Sequence, residues 1–225
     1  MGDVAIETSR SRREPGSRGG RQVMRERVLR NVARILVDRP VDELNMQAVV
    51  RLTGISLWAL RYHFGTFAEL FKAAVIHVID EAEGALFIPR PQQDSVIETI
   101  RSYASSLRRV AGSSEYRDMV CLVLRHGNAN AWLRDAYDRR IVGKVVEDLS
   151  AAVLDASEAR GSPVLFKEGV ARRLHRRIET EFALRNLLSP LDAPSDDESE
   201  ALLGEIVREA FSGTYCFDWQ ATNAA

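Results

Sequence analysis

Apolar residues in this chain recur chiefly at helical spacing. From Val23 onward, Val28, Val32, Ile35 and Leu36 fall at steps of three and four, which predicts a helix that Pro40 stops. Asn45 is placed to cap a second, short helix from Met46 to Thr53, with Met46, Val49 and Val50 turned inward. Gly54 supplies a sharp turn, and Ser56 caps a third helix running to His63, with Leu57, Leu60 and Phe64 available for packing. "TFAE" at 66–69 reads as a capping box, Thr66 reaching forward and Glu69 reaching back. The helix it opens carries Leu70, Ala74, Val75, Val78 and Ile79, and ends near the proline-containing "FIPRPQQ".

The remainder keeps the same period. "DSVIETIRSYASSLRRV" opens with a capping box from Ser95 to Glu98, and "RDMVCLVLRH" is apolar nearly all round, as a central buried helix would be. A single long amphipathic helix is expected from "AWLRDAY" to Gly161, followed by helices at 164–188 and 196–217 separated by "SPLDAPSDD". No alternating pattern with hairpin turns and no internal repeat interrupts this series, so the fold class is all-α. Residues 1–22 differ: rich in Ser, Gly and Arg and nearly free of apolar side chains, they are expected to be a disordered basic tail. Two readings of the tail stay open, a solvated segment or an arm that touches DNA phosphate or enters a minor groove.

Charge sharpens the picture once the chain is divided. The whole carries a formal net charge of −1, but residues 1–64 hold 12 Lys/Arg against 7 Asp/Glu (+5), leaving 19 against 25 (−6) for residues 65–225. A basic front on an acidic body suggests a polyanionic partner for the front. The two cysteines, Cys121 and Cys216, lie far apart and are expected to be reduced thiols; the histidines (His63, His77, His126, His175) show no metal-ligand spacing. No apolar run long enough for a membrane span or a signal peptide occurs, so a cytoplasmic location is expected. G-x-S-x-G, H-E-x-x-H and P-loop patterns are missing, and no catalytic residue, cofactor or metal is expected.

Two short helices joined at Gly54, with a preceding helix packed on both, make a helix-turn-helix unit. Such a turn leaves one side of the third helix uncovered, and a major groove about 12 Å wide accepts one helix. With Val49, Ile55, Leu60 and Phe64 inward, Leu57, Trp58, Arg61 and Tyr62 share the outer side. Arg pairs bidentately with guanine, Trp and Leu cover thymine methyls, and Tyr and His bond phosphate. The residues assigned to DNA are Asn45, Gln47, Ser56, Leu57, Trp58, Arg61, Tyr62 and His63. The competing reading is an ordinary helical hairpin in which Trp58 belongs to the core.

Residues 25–72, "RERVLRNVARILVDRPVDELNMQAVVRLTGISLWALRYHFGTFAELFK", resemble the DNA-binding domain of the tetracycline-repressor (TetR) family, which carries "aGvs…lyyhFxsKeeL". Gly54-Ile55-Ser56, Leu60, His63-Phe64 and Glu69-Leu70 carry the match. Four positions depart from it: Val50 replaces a small residue, Trp58 a glycine, Arg61 a tyrosine and Phe67 a lysine that contacts phosphate. The resemblance implies three units: a tail (1–22), a DNA-binding domain (23–67) and a helical effector-binding and dimerisation domain (68–225). It further implies a homodimer joined through the last two long helices, a pseudo-palindromic operator in double-stranded DNA, and a small-molecule effector that releases it. For the effector, Tyr103, Tyr116, Arg125, His126 and Trp132 are the candidate contacts around an otherwise apolar cavity. The basic run "RRLHRRIETE" (172–181) reads as a salt-bridged surface and not as a second nucleic-acid patch.

Overall fold

The computed structural model describes residues 18–86, 96–158, 168–188 and 195–211, and every element in them is helical. The order is α1 (Arg18–Asp38), a 3₁₀ turn (Val41–Glu43), α2 (Met46–Thr53), α3 (Leu57–Phe64), α4 (Phe67–Ala85), α5 (Val96–Ala111), α6 (Ser114–His126) and α7 (Ala131–Tyr137). A π-helical turn (Asp138–Val142) then leads into α8 (Gly143–Glu158). After it come α9 (Glu168–Ile178), a second π-helical turn (Glu179–Leu184), α10 (Arg185–Leu188) and α11 (Asp196–Phe211). The capping box at Ser95, the loops at 87–95 and 189–194, Gly161 and Cys216 lie outside the described residues.

α1, α2 and α3 form the head. Val28, Leu29, Val32, Ala33 and Leu36 of α1 meet Ala48 and Val49 of α2 and Leu60 and Phe64 of α3, all buried. α4 carries this core into the body: Leu70, Phe71, Ala74 and Val75 face the head end, Val78, Ile79 and Ala82 continue along the same stripe, and α4 packs on both α1 and α6. Beyond it, α5, α8, α9 and α11 pack on one another. One apolar core runs through the molecule.

The structure changes the expectation in four places. α1 starts at Arg18, so residues 18–22 are helical and not part of a disordered tail; that extension is exposed and polar, invisible to an apolar period, with Gln22 Nε2 donating to Glu26 Oε1 at 2.8 Å. α6 is buried on one side only, since Leu124 is 60% exposed and Arg125 is also exposed. The expected long helix after Ala131 is broken by the first π-helical turn, and the helix at 164–188 by the second. The apolar positions explain the breaks. Leu133, Tyr137, Ile141, Val145, Leu149 and Val153 recur every fourth residue, and in a straight α-helix such a series drifts by about 40° per step. A wider π turn absorbs part of the drift and keeps the series on the core.

Candidate nucleic-acid interface

Backbone chemistry sets α3 against α2. Asn45 Oδ1 accepts the Ala48 N–H at 2.9 Å and Ser56 Oγ accepts the Ala59 N–H at 3.2 Å, so each short helix has a side-chain cap. Between them, Gly54 sits at φ +69°, ψ 7°, and its N–H closes on Val50 O. Thr53 Oγ1 locks the corner by donating to Val49 O at 2.7 Å and accepting the Ile55 N–H at 3.2 Å. The box at α4 is complete: Glu69 N–H donates to Thr66 Oγ1 and Thr66 N–H to Glu69 Oε2. These backbone bonds hold the Glu69 carboxyl below its usual range.

The apolar frame falls inward as expected: Val49, Ile55, Leu60 and Phe64 are all buried. On the other side of α3, Trp58 is 73% and Tyr62 56% exposed, and Arg61 is exposed too. Trp58 is therefore not a core residue. Its ring stacks on Tyr62 with centroids 5.2 Å apart and planes 10° off parallel, and His63 meets Tyr62 edge-on at 5.1 Å. Leu57 and His63 are half-buried; Gln47, Asn45 and Ser56 are exposed, the last two with side-chain oxygens committed to caps. Phe67, where the family resemblance expects a lysine, is half-buried and packs against the core.

The five candidate effector contacts do not converge. Tyr103 is buried beside α8, donating to Val145 O at 3.3 Å; burial pushes its hydroxyl pKa up and keeps it neutral. Arg125 points to solvent, because α6 turns only one face to the core. His126 Nε2 donates to Leu36 O at 3.1 Å, and its ring and that of Trp132 both meet Phe71 edge-on, which places these two at the junction of head and body. Lys72 lies over the Trp132 ring at 5.7 Å.

Tyr116 alone joins a polar cluster, and its partners include Glu179 and His175 of the 172–181 run, which face inward and are not part of the salt-bridged surface expected there. Its hydroxyl donates to Glu179 Oε1 at 2.9 Å and contacts His175 Nε2 at 3.0 Å, while Tyr137 donates to the same Glu179 oxygen at 2.5 Å. With the Tyr116 hydrogen committed to the carboxylate, His175 must supply its own Nε2–H to the phenol oxygen. Burial pushes both phenols up, followed at Tyr116 by Tyr137 and then Glu179 and at Tyr137 by Glu179, and burial pushes the His175 imidazole down. A cavity of about 140 Å³ opens between the first π turn and α9, with Tyr137, Val142, His175 and Glu179 on its wall. The signal was present: His175 falls in phase with the buried Ala171, Leu174, Ile178 and Phe182. On the outer side of the same helix, Arg172 pairs with Glu168 and Asp138, and Arg177 with Glu181, so the basic run is a salt-bridged surface.

From the first π turn, Arg140 Nε donates to Glu83 Oε2 at 2.8 Å and Nη2 donates to Asp80 Oδ1 at 2.6 Å. The far end of α4 is thereby tied to the turn that also carries Asp138, partner of Arg172 on α9. Among the described residues there is no group of His, Cys, Asp and Glu suited to hold a metal, and no helix long and apolar enough to cross a membrane.

No family model matches the chain, and no curated protein matches it in sequence. Solved structures do match. A chain described as a TetR-family transcriptional regulator from Rhodococcus sp. superposes with TM-score 0.61 at 20% identity, covering 84% of this chain and 98% of that one. A TetR transcriptional regulator from Agrobacterium tumefaciens gives 0.56 at 21% identity, covering 84% and 92%. A third, described as a TetR-family regulator from Mesorhizobium loti MAFF303099, gives 0.59 at 14% identity, covering 87% and 98%. Head and body together, in their order along the chain, have the fold of the TetR-family transcriptional regulators.

Proposed function

We propose that this chain is a sequence-specific DNA-binding transcriptional regulator of the TetR type, cytoplasmic and homodimeric, acting as a repressor that a small-molecule effector releases. The observation that carries the proposal is the outward face of α3. Trp58, Arg61 and Tyr62 stand exposed on a helix whose opposite side is buried and whose angle is fixed by Gly54 and Thr53. A basic front, residues 1–64, on an acidic body supports a polyanionic partner for the head that carries this face. Residues 23–67, with α1 reaching back to Arg18, form the DNA-binding domain in this reading, and residues 68–225 the effector and dimer domain.

Dimerisation follows from reach, because one head contacts too few base pairs and two-fold half-sites double the interface. α9 and α11 spend Val170, Leu174, Ile178, Leu203, Ile206 and Val207 inside the monomer. A partner would meet smaller and polar positions on the outside. For the effector, the Tyr116–Tyr137–His175–Glu179 cluster and its cavity offer the polar handle, and Arg140 links the adjoining turn to α4. An effector releases DNA only by favouring a conformer whose heads no longer match successive grooves.

Titration of the full chain with duplex DNA at two salt concentrations tests the reading. Binding that weakens with salt is expected, and Arg61→Ala should lose about 1–3 kcal/mol on a preferred duplex. Apolar carboxylates, phenols and acyl compounds added to the complex test release. Salt-independent or undetectable binding would send the chain to another class of helical protein.

A further inference from the structure

The reading face of α3 is more apolar than phosphate binding requires. Trp58, at 73% exposure, is the largest side chain left uncovered among the described residues, and Tyr62 beside it is 56% exposed. The pair is already arranged. One residue per helical turn apart, the rings lie 5.2 Å apart and nearly parallel, and the edge of His63 backs Tyr62. Little side-chain freedom remains to be lost when this row meets a ligand, which favours a surface used as it stands. An indole offers a single N–H donor, enough for one bond to a phosphate oxygen but not for a bidentate contact, and the rest of its area is apolar. On the floor of a major groove, the apolar group presented by a base pair is the C5-methyl of thymine.

Resting on the DNA-binding reading above, we propose that the Trp58–Tyr62 pair reads C5-methylated pyrimidines. The preferred duplex then holds a thymine against each α3, and 5-methylcytosine at that position substitutes for it as far as the methyl contact is concerned. Arg61, exposed on the same side of the helix, supplies the polar part of the readout.

The test uses the full chain and the duplex it prefers, with each thymine replaced in turn by deoxyuridine, which removes only the methyl. Replacement at one or two positions per half-site should weaken binding about threefold to fourfold, the factor that one buried CH₂ contributes. Cytosine placed at those positions should gain the same factor on 5-methylation. Trp58→Ala should bring the thymine-to-deoxyuridine ratio to one, and Trp58→Leu, which keeps an apolar tip, should retain part of it. Equal affinity of the unaltered chain for thymine and deoxyuridine duplexes at every position would overturn the proposal and leave DNA binding standing. A ratio that persists in Trp58→Ala would overturn it as well. Failure of the unaltered chain to bind any unmodified duplex would overturn the DNA-binding reading itself.

Discussion

Gly54 shows how one backbone angle sets α3 against α2. Its φ of +69° lies in the left-handed region, yet a Cβ built there meets no atom within 4 Å. Any substitution cost is therefore conformational and not steric. Gly54→Ala should lower stability by about 1–2 kcal/mol, and Gly54→Asn by less, because Asn visits that region more readily. Thermal melts of the full chain check this; an unchanged midpoint in Gly54→Ala would mean the turn does not require the left-handed angle. Gly54, Asn45, Ser56 and the Thr66–Glu69 box were all legible as sequence, since each acts on neighbours within a few residues. So was the outward placement of Trp58, which the structure leaves exposed. The two apolar phases of this eight-residue helix are Leu60 with Phe64, buried, and Trp58 with Tyr62, exposed; what a count of apolar positions does not show is that the two exposed rings stack on each other.

At the scale of elements, the π-helical turns are what the periodicity did not show. A series repeating every fourth residue looks like an α-helix to any count of apolar spacings, and the phase it must shed appears only when both ends of the helix have to face one core. The turns at Asp138–Val142 and Glu179–Leu184 bring Tyr137 and Glu179 together, under Tyr116 of α6. His175 is the titrating member of this cluster. Around it stand Tyr116 from α6, Tyr137 and Asp138 from the first π turn and its lead-in, and Arg172, Arg176 and Glu179 from its own helix. Burial lowers its pKa from the ordinary 6.5, with Glu179 opposing and the arginines adding. The unfolded chain thus takes up the proton first as pH falls. Stability is fully present above that ordinary value and declines below it toward the folded one. The melting temperature should fall between pH 7.5 and pH 5.5, and His175→Gln should flatten that dependence. The lowered carboxyls of Glu69, Glu115 and Glu198 start from 4.5, below this window. A slope unaltered in His175→Gln would assign the decline to other groups.

For the whole molecule, α4 is the beam between head and body. Its first turn is boxed by Thr66 and Glu69 beside α3, and its last turns are held by Arg140 through Asp80 and Glu83. His126 adds a second tie, from the end of α6 to the last turn of α1. The sequence revealed the order of head, beam and body because each depends on local caps and on one apolar stripe. It did not reveal that Tyr103, Arg125, His126 and Trp132 face different neighbours, or that Tyr116 meets His175 and Glu179 some sixty positions away. In the function proposed above, two copies of α3 read DNA together. Selection of bound duplexes from a random pool by the full chain tests it most directly. A pseudo-palindrome whose half-sites lie about 10 bp, or a multiple of that, apart should be enriched, with the preference relaxed at one base pair of each half-site in Arg61→Ala. Recovery of no preferred sequence, or of one without two-fold symmetry, would contradict it.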